Sequence, residues 1–276
     1  MQEGSAALED ALATDGDWFI ALIERSDGVE DALALLARGG GGAAAATPCV
    51  IPILNAKGVS GAIGAALRRR DGRLILLGSH HVVHGKGAVT GDSVFAIDRR
   101  DGALVEIGRT IGGQIGRIML DGAPVFADCA AILYHELHML PPHWRERLAA
   151  LADFEGFADV AAGTEVFKDG AATGRTQGRV VDIDFPDVVT IEDRRFEASG
   201  QILVAPVRAE GLAAGTDVNF CVPGDSGAGL CDAQRRLVGL IWGANANGEG
   251  IACPIAAVLQ ALALAEDAVM PALEGV

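Results

Sequence analysis

Residues Cys221 to Leu230 read CVPGDSGAGL, a serine flanked by Asp225 and Gly227, directly after a Pro-Gly turn and between apolar runs. Pro, Gly and Asp make a tight bend with no function attached, since each suits turn geometry for its own reason. A serine hydroxyl becomes a nucleophile only when a base takes its proton, which calls for an imidazole in reach and a carboxylate behind it. It also calls for backbone N–H donors aimed at the developing oxyanion, and glycines beside the serine let a turn present them. The amides of Gly224 and Ser226 are placed for this. Whether the bend is chemical or only structural depends on what stands elsewhere in the chain.

The 276 residues suffice to bury a substantial core, in one large domain or two small ones. Half are hydrophobic, few are aromatic and 37 are glycine, a globular composition and not a disordered one. The formal net charge of -15 argues against a nucleic-acid backbone or an anionic membrane surface as partner. No apolar run approaches the length needed to span a bilayer. The opening MQEGSAALEDALATDGDW is acidic where a secretory signal would be basic and then apolar, which predicts a cytoplasmic protein. Cys49, Cys129, Cys221, Cys231 and Cys253 lie beside apolar residues without CxxC spacing, which predicts buried thiols in a reducing compartment. Nothing in the pattern speaks to an oligomeric state.

From Ser5 to Arg38 apolar residues recur at helical spacing, interrupted at Asp15-Gly16-Asp17 and Ser26-Asp27-Gly28, which predicts short helices. GGGGAAAATP, Gly39 to Pro48, follows as a flexible joint, so residues 1–46 form a helical extension with a Gly/Ala linker. Beyond it the period changes to two. GAIGAAL, RLILLG, SVFAID, ALVEIG, RVVDID, QILVAPV and RLVGLIWG are short apolar runs separated by Gly-, Asp- and Pro-containing turns. Many short strands predict an all-β protein with one barrel or a pair. Helical stretches are expected near Pro141 to Phe154, where the prolines suit a helix start, and from Ile255 to Ala265. The expected division is a first β half over 47–140, a helical connector over 141–160 and a second β half with a C-terminal helix over 161–276.

The first β half carries an imidazole and a carboxylate in suggestive settings. RLILLGSHHVVHG, Arg73 to Gly85, is an apolar strand that delivers His80 and His81 at its tip. APVFADCAAILYHEL, Ala123 to Leu137, places Asp128 alone in an apolar run, where an unpaired carboxylate is costly and a histidine N–H is a natural partner.

GDSGAG after a Pro turn, LLGSHHVV at a strand end and an isolated Asp between them, in the order His, Asp, Ser, resemble the chymotrypsin-like, or trypsin-like, serine proteases. The resemblance runs from about Thr47 to Leu264. It is closest to the bacterial and plant group with LSNNHV at the histidine and GRTTGLTxG ahead of the second barrel's strands, where this chain has DGAATGRTQGRV, Asp169 to Val180. It implies two six-stranded antiparallel β-barrels preceded by short N-terminal helices. It also implies a serine endopeptidase with His81 as base, Asp128 as orienting carboxylate and Ser226 as nucleophile, the N–H groups of Gly224 and Ser226 forming the oxyanion hole. Substrate-binding positions carried over are Phe220 and Cys221 in the specificity pocket, and Ile241, Trp242 and Gly243, where a peptide adds as an extra strand. The partner implied is a protein or peptide substrate, and no cofactor or metal is required.

Two departures bear on the expectation. The pocket floor, six residues before the nucleophile, is Phe220, which offers no charge to a Lys or Arg side chain and favours small or apolar residues at the cleaved position. No activation sequence follows the linker, so Asp225 must find a partner other than a freed N-terminus, or the oxyanion turn waits for a ligand. His80 is the alternative base, and a structural role is the alternative for Asp128. His84, Asp92, Asp98 and Asp121 read as loop and turn residues. YHELHMLPPHW, with His135, Glu136, His138 and His143, lacks the His-Glu-x-x-His spacing of zinc enzymes and reads as surface or interface histidines. Rival functions are a catalytically silent or latent fold used for protein binding, a protease that acts on itself, and an esterase.

Overall fold

The computed structural model describes residues 50–69, 73–98, 102–134, 142–207, 219–264 and 268–269. The expected helical extension, His135, Glu136, His138 and the His143 side chain lie outside the described residues.

Apolar runs without polar breaks become strands buried on both faces: β1 (Ile51–Asn55) and β4 (Leu74–Gly78) are buried at every position. β2 (Ser60–Ile63) runs through Gly64 into β3 (Ala65–Arg69), and β5 (Ser93–Ile97), β6 (Leu104–Leu120) and β7 (Ala123–Tyr134) follow. Asp121 and Gly122 join β6 to β7 with φ of 49° and 85°, the two positive angles that a tight hairpin matched to strand twist requires. The first sheet is antiparallel, in the order β14-β3-β4-β7-β6-β5-β1-β2, the label β14 being Ala268–Val269. β2 and β3 sit near opposite ends of that order yet are separated in sequence only by Gly64, so the sheet curls until its ends meet there. Of its eight strands, β2 and β3 are one bent run and β14 is a two-residue addition, which reconciles the count with the six expected. β14 pairs with β3, so the chain returns to the first sheet from a stretch that the sequence assigned to the second half.

In the second half, β8 (Glu165–Gly170), β9 (Gly174–Ile191), β10 (Arg194–Pro206), β11 (Gly229–Asp232), β12 (Leu237–Ala244) and β13 (Gly250–Pro254) close a six-stranded barrel in the order β10-β13-β12-β11-β8-β9. Its long β9–β10 hairpin turns through Glu192 and Asp193.

The helices are shorter than the sequence predicts. α1 (His80–Val83) follows β4, α2 (Pro142–Leu151) links the halves and α3 (Ile255–Ala261) follows β13. Past α2 the Glu155 N–H donates to Arg235 and Gly156 adopts a φ of 126°, which turns the chain alongside the start of β12 instead of extending the helix. α3 stops where Ala263 takes a φ of 53°.

Three large apolar clusters among the described residues follow from this layout. One fills the first sheet, with Ile53, Leu76, Val94 and Ile132, and is capped by Trp144, Leu148 and Leu151 from one face of α2. One fills the second barrel, with Val166, Val204, Phe220, Leu230 and Ile241. The third lies between them, with Leu77, Phe126, Cys129, Leu203, Leu240, Trp242, Cys253 and Val258. Each large side chain so buried contributes roughly 1.5–3 kcal/mol. The two β units, one curled and one closed, stack through a shared apolar layer as a double β-barrel.

Candidate active site

His81 stands on α1, a single helical turn at the end of the wholly buried strand β4. Ser79 would ordinarily cap that turn, but its hydroxyl donates instead to the Ile241 carbonyl of the second barrel at 3.1 Å. Asn55 does the holding from below. Its Nδ2 donates to the Val82 and Gly85 carbonyls at 2.8 and 3.0 Å, while its Oδ1 accepts the Lys57 and Val59 amides. Sequence reasoning missed Asn55; a polar residue closing the apolar run IPILN was the available signal.

Asp128, on β7 and fully buried, accepts two hydrogen bonds from His81: Nδ1–H to Oδ2 at 2.6 Å and the backbone N–H to Oδ1 at 3.1 Å. The carboxylate therefore fixes the ring and its tautomer, leaving Nε2 as the acceptor nitrogen. Burial pushes the His81 imidazole down, but the Asp128 charge and hydrogen bond, with a smaller pull from Glu192, outweigh it, and His81 titrates above the ordinary value. Beside it His80 is held below the ordinary value, chiefly by burial. His80 stacks on His84 with ring centroids 4.9 Å apart, and the His84 Nδ1–H donates to the Ala88 carbonyl.

Ser226 lies in a turn pinned from both sides. Its carbonyl accepts the Ala62 N–H at 2.8 Å, and the Gly227 carbonyl accepts the Gly64 N–H at 3.0 Å. The Gly227 N–H donates to Ile241 O at 2.7 Å, the atom that also takes the Ser79 hydroxyl. The chain two residues before His81 and the residue after Ser226 are thus anchored to one carbonyl. Gly227, at a φ of 98°, could carry no side chain, for a Cβ would stand 1.9 Å from Ala62 O. The Ser226 hydroxyl donates to the Trp242 carbonyl at 3.1 Å. In the same turn Asp225 N–H bonds Val222 O, whereas the N–H groups of Gly224 and Ser226 have no acceptor among the described residues.

Asp225 has an internal cation. Lys168 Nζ lies 2.8 Å from Oδ2, both side chains fully buried, and also donates to Thr173 Oγ1 at 2.7 Å. The carboxylate further accepts the Ala172, Thr173 and Val222 amides and the Thr173 hydroxyl. Gly170 makes room, since a Cβ there would lie 2.2 Å from Asp225 Oδ1. The partner that the sequence left unassigned is this lysine. Its signal was parity: Lys168 shares a strand face with buried Val166.

Phe220 is wholly buried, its ring wedged where a Cβ on Gly178 or Gly250 would approach within 2.8 or 2.7 Å, with Lys168 Nζ 5.3 Å from its centroid. Cys221 is buried beside it, its thiol pushed up to about 12 by burial first and Asp225 second. Ile241 and Trp242 are buried on β12, and Gly243 is partly exposed. Among the other turn residues, Asp92 accepts the Val89 amide, Asp121 sits at the β6–β7 tip and Asp98 is buried. Among the described residues no group of three His, Cys, Asp or Glu could hold a metal ion.

Solved structures similar to this chain include Cellulomonas bogoriensis chymotrypsin, at 17% identity and a TM-score of 0.48, covering 80% of this chain and 96% of that one. Thermobifida fusca Protease A, at 15% and 0.48, covers 76% and 92%, and Nocardiopsis protease, at 14% and 0.47, covers 78% and 96%. No protein-family model matches the chain, and no curated protein matches it. The likeness is one of chain path; the chemistry rests on the residues described above.

Proposed function

We propose that the chain is a serine endopeptidase. The observation that carries the reading is the buried Asp128 carboxylate accepting one hydrogen bond from the His81 imidazole and one from the His81 backbone N–H, in a fold whose serine turn leaves the Gly224 and Ser226 amides without an acceptor among the described residues. In the reaction the Ser226 hydroxyl turns from Trp242 O to His81 Nε2, which takes its proton as Oγ attacks a peptide carbonyl. Asp128 stabilises the imidazolium. The Gly224 and Ser226 N–H groups receive the oxyanion, an interaction whose loss costs about 10²–10³ in rate per donor. His81 then gives the proton to the departing amine, and water, deprotonated by the same imidazole, opens the acyl-enzyme.

A peptide adding to β12 along Ile241, Trp242 and Gly243 directs its cleaved residue towards the Phe220 and Cys221 side of the turn, which favours small or apolar side chains. The reaction calls on no cofactor, and the substrate is a protein or peptide. The described cysteines, Cys129, Cys221, Cys231 and Cys253, are thiols, which supports a reducing, cytoplasmic setting. A latent form is the second reading, favoured by the Ser226 hydroxyl donating to Trp242 O.

The test is intact-mass analysis after exposure to a fluorophosphonate, with Ser226→Ala and His81→Ala as controls. One adduct on the wild type and none on either variant is expected. A folded wild type that stays unlabelled with and without an added peptide sinks the reading; labelling only with peptide selects the latent form.

A further inference from the structure

Gln201 lies on β10 with no exposed surface. Its Nε2 donates to Phe126 O at 2.9 Å and to Ser199 O at 2.8 Å, and its Oε1 accepts the Trp242 indole N–H at 2.7 Å. A single buried amide therefore bonds β7 of the first sheet, its own strand and β12 of the second barrel. An amide left unpaired at this depth would lose its hydration with nothing in return, so its placement is specific and not incidental.

What it joins matters more than that it is satisfied. Phe126 stands two residues before Asp128 on β7, and Trp242 O is the acceptor of the Ser226 hydroxyl. The Phe126 carbonyl also receives the Cys253 thiol at 3.5 Å, and the Phe126 ring packs on Trp242 and Phe196 with centroids 5.2 and 5.6 Å apart. The bonds from Ser79 to Ile241 and from Ala62 to Ser226 tie the barrels on the His81 and Ser226 sides. Gln201 ties them on the Asp128 side.

We propose that Gln201 is a positioning residue of the active site, setting the distance between the His81–Asp128 pair and Ser226 by fixing β7 against β12. It touches neither substrate nor reacting atoms and acts through Phe126 and Trp242. The inference rests on the serine endopeptidase reading above. Shifts of about 1 Å in reacting geometry cost on the order of a hundredfold, so a loosened link registers in rate before it registers in fold.

The experiment measures fluorophosphonate inactivation of the full chain, separating the limiting rate, kinact, from the half-saturating concentration, KI. Gln201→Met keeps the length and apolar bulk and removes all the side-chain hydrogen bonds. With circular dichroism showing a folded protein, kinact is expected to fall at least tenfold while KI stays within about threefold. A folded Gln201→Met protein with wild-type kinact overturns the inference and leaves the protease reading standing. An unlabelled wild type instead removes the reading and the inference together. If Gln201→Met does not fold, Gln201→Asn, which keeps an amide too short to reach both Phe126 and Trp242, decides by the same criterion.

Discussion

Lys168 Nζ stands 2.8 Å from the Asp225 carboxylate, and neither side chain reaches solvent. The carboxylate belongs to the residue before Ser226, so this pair holds the serine turn to strand β8. Removing one partner of such a pair leaves an uncompensated buried charge, worth about 3–5 kcal/mol of stability. Lys168→Met is therefore expected to lower the urea midpoint sharply and to abolish labelling of Ser226, whereas Lys168→Met with Asp225→Leu recovers part of the stability without the labelling. An unchanged midpoint in the single variant would show that the pair does not hold the turn.

The raised His81 pKa sets the acid side of the pH profile. A general base must be neutral, and the Asp128 charge and hydrogen bond favour the cation against burial. Cleavage and labelling rates should fall as pH drops through a value above the ordinary imidazole one. Asp128→Asn removes the charge, which moves that limb to lower pH and cuts the rate by about 10³–10⁴. A limb that stays in place in Asp128→Asn would contradict the assignment of the base.

Burial pushes the Cys221 and Cys253 thiols up to about 12 and Cys129 well above its ordinary value. Thiolates are the reactive form. At pH 8 iodoacetamide should leave all three unmodified in the folded chain and alkylate them in urea, read by peptide mass mapping. Rapid native alkylation of Cys221 would mean that the serine turn opens in solution.

Gly227 combines a φ of 98° with a prospective Cβ only 1.9 Å from the Ala62 carbonyl. No side-chain rotation relieves a clash with backbone. Gly227→Ala should cost more than about 3 kcal/mol, seen as loss of soluble protein or a Tm lowered by roughly 6–12 °C or more. Gly112, with open space around it, is the control: Gly112→Ala should leave Tm within a few degrees.

The sequence displays what is local and hides what is distant. A period of two, broken by Asp-Gly and Pro turns, made the β architecture legible, and an acid isolated in APVFADCAAILY announced that it needed a partner. The strand end delivered His80 and His81 together, and only the resemblance at LLGSHHVV preferred His81 as that partner. Lys168 was missed: its parity with Val166 was visible, but a lysine in EVFKDG looks like the approach to a turn until the barrel closes around it. Gln201 begins the run QILVAPV and looks like a strand's polar edge; only the meeting of β7, β10 and β12 buries it. The eight strands of the first sheet were obscured by Gly64, which breaks one apolar run into two, and by β14, whose partner is remote in sequence.

Gly64 also ties the two halves together. A Cβ there would lie 2.1 Å from the Gly229 nitrogen, and its own N–H reaches the carbonyl beside Ser226. The bend that closes the first sheet is therefore the surface on which the serine strand lies. The two halves meet backbone to backbone at this glycine, with no room for a side chain between them. A chain divided after α2 should regain labelling only when both fragments refold together, each serving as the template for the other.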